Sequence, residues 1–344
     1  MAYANLTKTV CASKKEWFCR LRDFLCKRNG TYDYSTTGIG WTLFDSSYAA
    51  DEDNPAINDY FVVYSPGESG DEDIFFKIVW ISGSIRASSC LAWNPTAHTS
   101  TTLYNANAFI ALAETGASYA LWLYGDLDAC VVVNTLATNI TQTGYFGKLL
   151  PTLDHVTGET ATCSSALSAG SDVSITVDSA PSHWKIGRAL FIRTTHTDNI
   201  TTSKTEKIVI KTISGNTFTC DLVNAYTANS KLTDHFSYCS TMNSYLMTTV
   251  VSLMTTAGTF GVNNTGVTAI TISSTARDPD SLESEYVLSD MYVSASSDGV
   301  QGTYKNVYFC PALSNEDIVT REDGTNYRFH IGSSAGYSIA VKEV

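Results

Sequence analysis

Residues 119–151, YALWLYGDLDACVVVNTLATNITQTGYFGKLLP, constrain the fold more than any other stretch. Residues 119–124 are apolar and aromatic, Gly125-Asp126-Leu127-Asp128 forms a turn, and 129–133 is a second apolar run. β-Branched and aromatic runs joined by a short Gly/Asp turn fold as a β-hairpin. Both runs are nearly continuously apolar rather than alternating, so the pair is expected to be buried on both faces. It therefore belongs at the centre of the sheet on which the first part of the chain packs. A compact Gly144-Tyr145-Phe146-Gly147 segment follows, then Leu149-Leu150-Pro151. None of this is a catalytic motif.

Upstream, residues 13–29 read as a helix. Ser13 is a good N-cap and Glu16, three residues on, completes a capping box. Trp17, Leu21, Phe24 and Leu25 make one apolar face, and Asn29-Gly30 is a stop signal. Strands are expected at 40–44, 60–64 and 74–81, with 109–114 ambiguous between helix and strand. Up to about residue 156 this is an α+β unit, one helix on an antiparallel sheet. From 157 to 235 the rhythm changes. Candidate strands at 173–177, 186–192, 206–213 and 217–222, with a Gly215-Asn216 turn, suggest an inserted all-β barrel or sandwich with its own core. Residues 236–344 read as a β-rich segment that either completes the first domain or forms a third. Its candidate strands lie at 268–272, 286–293, 304–309, 327–331 and 338–341, and 235–254 also leans to strand. The fold class is α+β, mainly antiparallel β.

Composition narrows the function classes. Of 344 residues only 16% are charged, against an ordinary share of about 25%. Such a surface suits extended β-structure and assemblies. Lys and Arg number 22 against 34 Asp and Glu, a net charge of −12, so a backbone grip on nucleic acid is not expected. The one basic cluster, Lys14, Lys15, Arg20, Arg22, Lys27 and Arg28, reads as a solvated helix face. No run approaches the ~20 apolar residues that span a bilayer. The start lacks a leader pattern, which points to synthesis in a cytosol. The nine cysteines are scattered with no C-x-x-C. They read as buried thiols acting as small apolar residues, or, for Cys11, Cys19 and Cys26, as sources of inter-subunit disulfides after release into an oxidising medium.

Candidate chemistry is sparse. Asp126 and Asp128 could serve glycoside hydrolysis, which needs two carboxyls about 5–10 Å apart across a cleft; in a turn, Asp is favoured simply for bonding the local backbone. Asp51-Glu52-Asp53 and Asp71-Glu72-Asp73 could share calcium, yet neither has EF-hand spacing and each precedes a strand. His98, His155, His183, His196, His235 and His330 never pair at metal-ligand spacing. There is no G-x-S-x-G, dinucleotide or P-loop pattern. The sequons at Asn139 and Asn199 fit chance in an Asn/Thr-rich chain. The 19 tyrosines suit contact with neighbouring subunits or sugars, or simply the core. No catalytic residue, cofactor or metal is assigned.

The opening Met1-Ala2-Tyr3, the capped helix, Gly144-Tyr145-Phe146-Gly147-Lys148-Leu149-Leu150-Pro151, the segment around Gly187 and 206–222, and the closing Tyr304–Phe309, Glu316-Asp317, Tyr327-Arg328-Phe329 and 339–342 segments together resemble virion structural proteins of tailed bacteriophages. The resemblance covers most of the chain thinly and rests on structural motifs. It implies a non-enzymatic component of tail, neck, baseplate or capsid surface, made in the host cytoplasm and located in the virion. Its partners would be other virion proteins and further copies of itself, with neither nucleic acid nor membrane contacted directly. The alternative is a fibre-attachment module that binds host surface glycan; a third reading is a glycan-degrading enzyme.

Overall fold

The computed structural model describes residues 3–48, 54–68, 70, 74–82, 84–90, 93–100, 103–111, 119–135, 141–148, 150, 160–193, 205–233, 237–243, 267–269, 288–295, 299–309, 315–331 and 338–343. The first part runs β1 (Ala4–Cys11), α1 (Lys14–Leu25), β2 (Thr42–Ser46), β3 (Tyr60–Ser65), β4 (Ile74–Ile81), β5 (Ser84–Cys90), β6 (Leu103–Ala111), β7 (Tyr119–Gly125), β8 (Ala129–Thr135) and β9 (Thr141–Lys148). The middle runs β10 (Thr160–Thr162), β11 (Gly170–Thr176), β12 (Ala189–Arg193), β13 (Thr205–Val209), β14 (Thr212–Ser214), β15 (Thr217–Leu222) and β16 (Lys231–Thr233). The last part runs β17 (Ser237–Asn243), β18 (Val267–Ala269), β19 (Ser289–Ala295), β20 (Gly299–Phe309), β21 (Ile318–Thr320), β22 (Asn326–Ile331) and β23 (Ser338–Glu343).

Every strand pairing is antiparallel. A central sheet has the order β1-β7-β8-β9-β17, so the 119–133 hairpin is inside it, as its apolar run predicts. One face carries Leu121, Leu123, Cys130, Val132 and Phe146. These pack with the helix and with Phe61, Val63, Phe76 and Ile78 of an N-terminal sheet of order β2-β3-β4-β5-β6. The other face carries Trp122, Tyr124, Val131, Val133 and Tyr145, and packs against Tyr304, Val307, Ile339 and Val341 of a C-terminal sheet of order β18-β19-β20-β23-β22-β21. The single sheet expected for the first part is thus two sheets, and the hairpin is the middle layer of three. Trp41 links two of them, its ring 6.0 Å from both Phe76 and Phe146.

The helix starts where the capping pattern places it. Ser13 Oγ accepts from Glu16 N at 3.1 Å, and Glu16 Oε2 accepts from Ala12 N at 2.8 Å. It ends at Leu25, four residues before the Asn29-Gly30 signal. The chain folds back there: Ile39 N donates to Phe24 O, and Gly40 and Trp41 N donate to Leu25 O, satisfying carbonyls a longer helix would have used itself. A Cβ on Gly38 would lie 2.6 Å from Phe24 O, so this close return requires glycine. The solvated basic face is corrected at Arg22, which is fully buried with Nε 2.8 Å from Asp23 Oδ1. Arg20 is half-buried, stacked 3.9 Å over Tyr32 and bonded to Glu16 and Tyr34.

Residues 160–233 hold two further sheets, β10-β16-β12-β13 and β11-β15-β14, around a separate core that includes Ile175, Trp184, Ile192, Phe218 and Cys220. Among the described residues none of the sheets closes into a barrel, one of the two forms expected here; the two sheets share the one core. The Gly215-Asn216 turn joins β14 to β15 with Ser214 opposite Thr217. The expected strand 206–213 divides into β13 and β14 at Ile210-Lys211, whose amides bond to Arg188 and Thr219. After the module the chain returns to the central sheet, where β17 pairs with β9.

Candidate functional site

The hairpin turn collects a cluster of buried charge. Asp126 Oδ1 accepts from the amides of Asp128, at 2.9 Å, and Ala129, at 3.2 Å. That is the backbone-bonding role for which a turn selects Asp. Asp128 Oδ1 accepts from Glu68 N at 2.8 Å, in the connection from β3 to β4. The remaining oxygens meet one cation: Lys305 Nζ lies 2.6 Å from Asp128 Oδ2, 3.0 Å from Asp126 Oδ2 and 2.9 Å from Glu68 Oε2. Lys305 and both aspartates are mostly buried, whereas the Glu68 side chain is 40% exposed.

Backbone contacts reinforce the same point. Trp41 Nε1 donates to Asp126 O at 2.9 Å, and Ser65 Oγ donates to Leu127 O at 2.6 Å. One four-residue turn thus binds all three layers: Ser65 and Glu68 from the N-terminal sheet and its connection, Lys305 from the C-terminal sheet. Lys305 lies in an irregularity of β20, where four residues, 304–307, lie between Thr303 and Tyr308, the partners of Tyr292 and Asp290, and Asn306 takes a left-handed φ of 60°. Gly147 fits beside the turn because a Cβ there would lie 2.4 Å from Ala129 Cα.

Electrostatics follow the geometry. Burial dominates at Asp126 and raises its pKa, although Lys305 pulls the other way. At Asp128 burial also raises, but hydrogen bonds from Lys305 and the Glu68 amide together outweigh it and hold the carboxyl below the usual range. Lys305 would be depressed by burial, yet its carboxylate partners raise its pKa and keep it charged. The cluster is a buried ionic clasp in which each carboxylate oxygen of the two aspartates already has a partner.

A second buried polar pair lies in the same joint. His330 Nε2 is 3.0 Å from Tyr124 Oη, and its ring meets Trp122 at 5.1 Å. Elsewhere, His98 Nδ1 lies 2.9 Å from Asp45 Oδ2, which also accepts from Trp93 Nε1 at 2.7 Å. That pair edges the outer face of the N-terminal sheet, where Phe44, Tyr60 and Tyr64 are half-buried over Val62, Phe75 and Trp93. Lys77 Nζ stands 4.2 Å over the Tyr60 ring.

Of the three cysteines considered for inter-subunit disulfides, Cys11 and Cys19 are buried and Cys26 is half-buried. No disulfide links the seven cysteines whose side chains are described. His183 is half-buried; His155, His196 and His235, both acidic triplets at 51–53 and 71–73, and Asn139 and Asn199 lie outside the described residues. Among the described residues no group of three or more His, Cys, Asp and Glu is arranged to hold a metal ion. No described helix is long and apolar enough to cross a membrane.

Lys305, Glu68 and the His330–Tyr124 pair were not singled out from sequence. The available signal was a lone cation within the apolar run Tyr304–Phe309, since a lysine inside a buried strand requires a paired carboxylate. No protein-family model matches the chain, and no curated protein matches it.

Proposed function

We propose that this chain is a non-enzymatic structural subunit of a bacteriophage virion, in tail, neck, baseplate or capsid surface, working through contact with further copies of itself and with other virion proteins. The observation that carries the reading is the destination of the converging charges. Asp126, Asp128 and Lys305 are spent on one another and on backbone amides, clamping three β layers together. Side chains committed in this way lend mechanical integrity and leave the weakly charged exterior to make subunit contacts. The test is the mass of the full chain by sedimentation across a wide concentration range, with imaging of particles labelled in the 160–233 module. A closed multimer and label at regular positions support the reading. A monomer throughout, with no label on particles, overturns it, as does glycan hydrolysis that stops on Asp126→Asn.

One observation favours the glycan-attachment alternative: the half-buried aromatic face of Phe44, Tyr60 and Tyr64 beside Lys77. Rings on a rigid sheet stack against sugars. Retention on host polysaccharide that is lost in Tyr60→Ala would select this reading over the purely structural one.

A further inference from the structure

The two joints of the central sheet differ in chemistry. Against the helix and N-terminal sheet it presents Leu121, Val132 and Phe146 to Phe18, Phe61 and Phe76. Against the C-terminal sheet it presents Trp122, Tyr124 and Tyr145 together with Val131 and Val133, and charged or titratable side chains enter this joint. We propose that this second joint is an acid-operated latch, in which protonation of His330 releases the C-terminal sheet from the central sheet.

His330 projects from β22 into the joint and is 2% exposed. Its Nε2 is engaged with Tyr124 of β7, while Nδ1 has no hydrogen-bond partner among the described residues. The facing charges are paired, although the buried Glu343 Oε2 has no hydrogen-bond partner among the described residues. Lys8 of β1 lies 5.3 Å from the centre of the Trp122 ring and pairs with Glu316 at 2.6 Å, in the segment before β21. Arg328, on the same strand as His330, pairs with Glu343 of β23 at 2.8 Å. No ion pair to His330 is formed among the described residues, and the cations that act on it are Arg328 and the half-exposed Lys8.

An imidazolium carries two N–H donors. In this joint one of them has no acceptor, and the new charge is buried beside two cations, a combination that a closed interior does not tolerate. Burial, then Arg328, then Lys8 accordingly hold the ring's pKa down at about 3, from an ordinary 6.5. The sign follows. The opened joint takes up the proton near the ordinary value and the closed joint only near 3. Closure is therefore complete above the ordinary value and lost progressively as pH falls. For one proton the opening constant rises about tenfold per pH unit in that window.

The clasp, whose Asp126 follows Tyr124 by two residues, modifies this without replacing it. Asp126 is held above its ordinary value, chiefly by burial, so its proton uptake favours closure. Asp128 is held low by Lys305 and Glu68 against the effect of burial, so it stays ionised until stronger acid, and Lys305 remains charged throughout. Opposition from Asp126 is separable by mutation, and the latch does not depend on the assembly reading above.

The test is hydrogen exchange of the full chain, corrected for intrinsic rates, comparing peptides of β22 and β23 with peptides of β3 and β4 between neutral pH and about pH 5. The C-terminal sheet is expected to open about tenfold more per unit of acidification, with the N-terminal sheet unchanged. His330→Gln should flatten that slope, and Asp126→Asn should leave it intact or steeper. Tyr124→Phe, which keeps the imidazole, should raise opening at neutral pH and retain the slope; it serves if the glutamine variant fails to fold. An unchanged slope in His330→Gln, a lost slope in Tyr124→Phe, or equal loss of protection in both sheets overturns the latch.

Discussion

Replacing Lys305 with methionine keeps most of the side chain's length and removes its charge. Its ammonium lies within 3.0 Å of Asp126, Asp128 and Glu68. Removing one partner of a buried ion pair costs about 3–5 kcal/mol because a buried charge is left unmatched. Glu68, at 40% side-chain exposure, is solvated and adds little to that cost. Asp126 and Asp128 carry it, and Asp126 has a way out. Burial already raises its pKa and Lys305 is the main influence pulling it down, so without Lys305 it rises further and takes up a proton. Because the folded value then lies above the unfolded one, the deficit is full at neutral pH and shrinks as pH falls. We expect Lys305→Met to cost about 3 kcal/mol near pH 7 and less in mild acid. Adding Asp126→Asn should recover more than half of the loss, since the amide oxygen still accepts from Asp128 N and Ala129 N. The 160–233 module has its own core, so unfolding is not one step. The readout is therefore local exchange of the Glu68 and Lys148 amides, which donate to Asp128. A cost below about 1 kcal/mol, the scale of a surface pair, or no recovery in the double variant, would refute the clasp.

Four further outcomes are expected. Gly147→Ala sets a Cβ 2.4 Å from Ala129 Cα, backbone against backbone, and should cost about 3 kcal/mol or more in exchange of β8–β9 amides; Gly215→Ala, with open space around it, should cost only the left-handed strain of about 1–2 kcal/mol in β14–β15. Ser13→Ala should lose about 1 kcal/mol of helix protection, seen first at the Glu16 amide. Trp41→Phe keeps an aromatic ring but drops the bond to Asp126 O, and should weaken the turn's amides by about 1 kcal/mol. In native alkylation read by peptide mapping, Cys26 should label, while Cys11, Cys90, Cys163 and Cys220, each buried and pushed up to about 12 chiefly by burial, should label only after denaturation.

Elements with local signals were legible in the chain. The Ser13–Glu16 capping pair, the Gly215-Asn216 turn, the apolar runs of β4, β7 and β8 and the alternation of β15 specify their own conformation. Strands without such signals were not read: β1 is ANLTKTVC and β5 is SIRASSC, polar segments that extend because hydrogen-bonded neighbours hold them. β22 was found, but alternation along it does not tell which face meets the central sheet. Tyr327 and Phe329 belong to an outer cluster with Tyr308 and Val319, while His330 turns inward to Tyr124. Alternation separates inside from outside only when one face meets water, and here both faces are covered.

The order of residues alone settled that this chain is β-rich, that its helix is capped by Ser13, and that the 119–133 hairpin is sheathed on both sides, because apolar runs and capping groups act over a few neighbours. Which layers sheathe it, and that Asp126 and Asp128 meet a lysine 177 residues away from the second of them, was decided only by the tertiary structure. Desolvation makes the pairing of charges obligatory without naming the partner, and the partner is whichever cation the packed sheets bring within bonding distance.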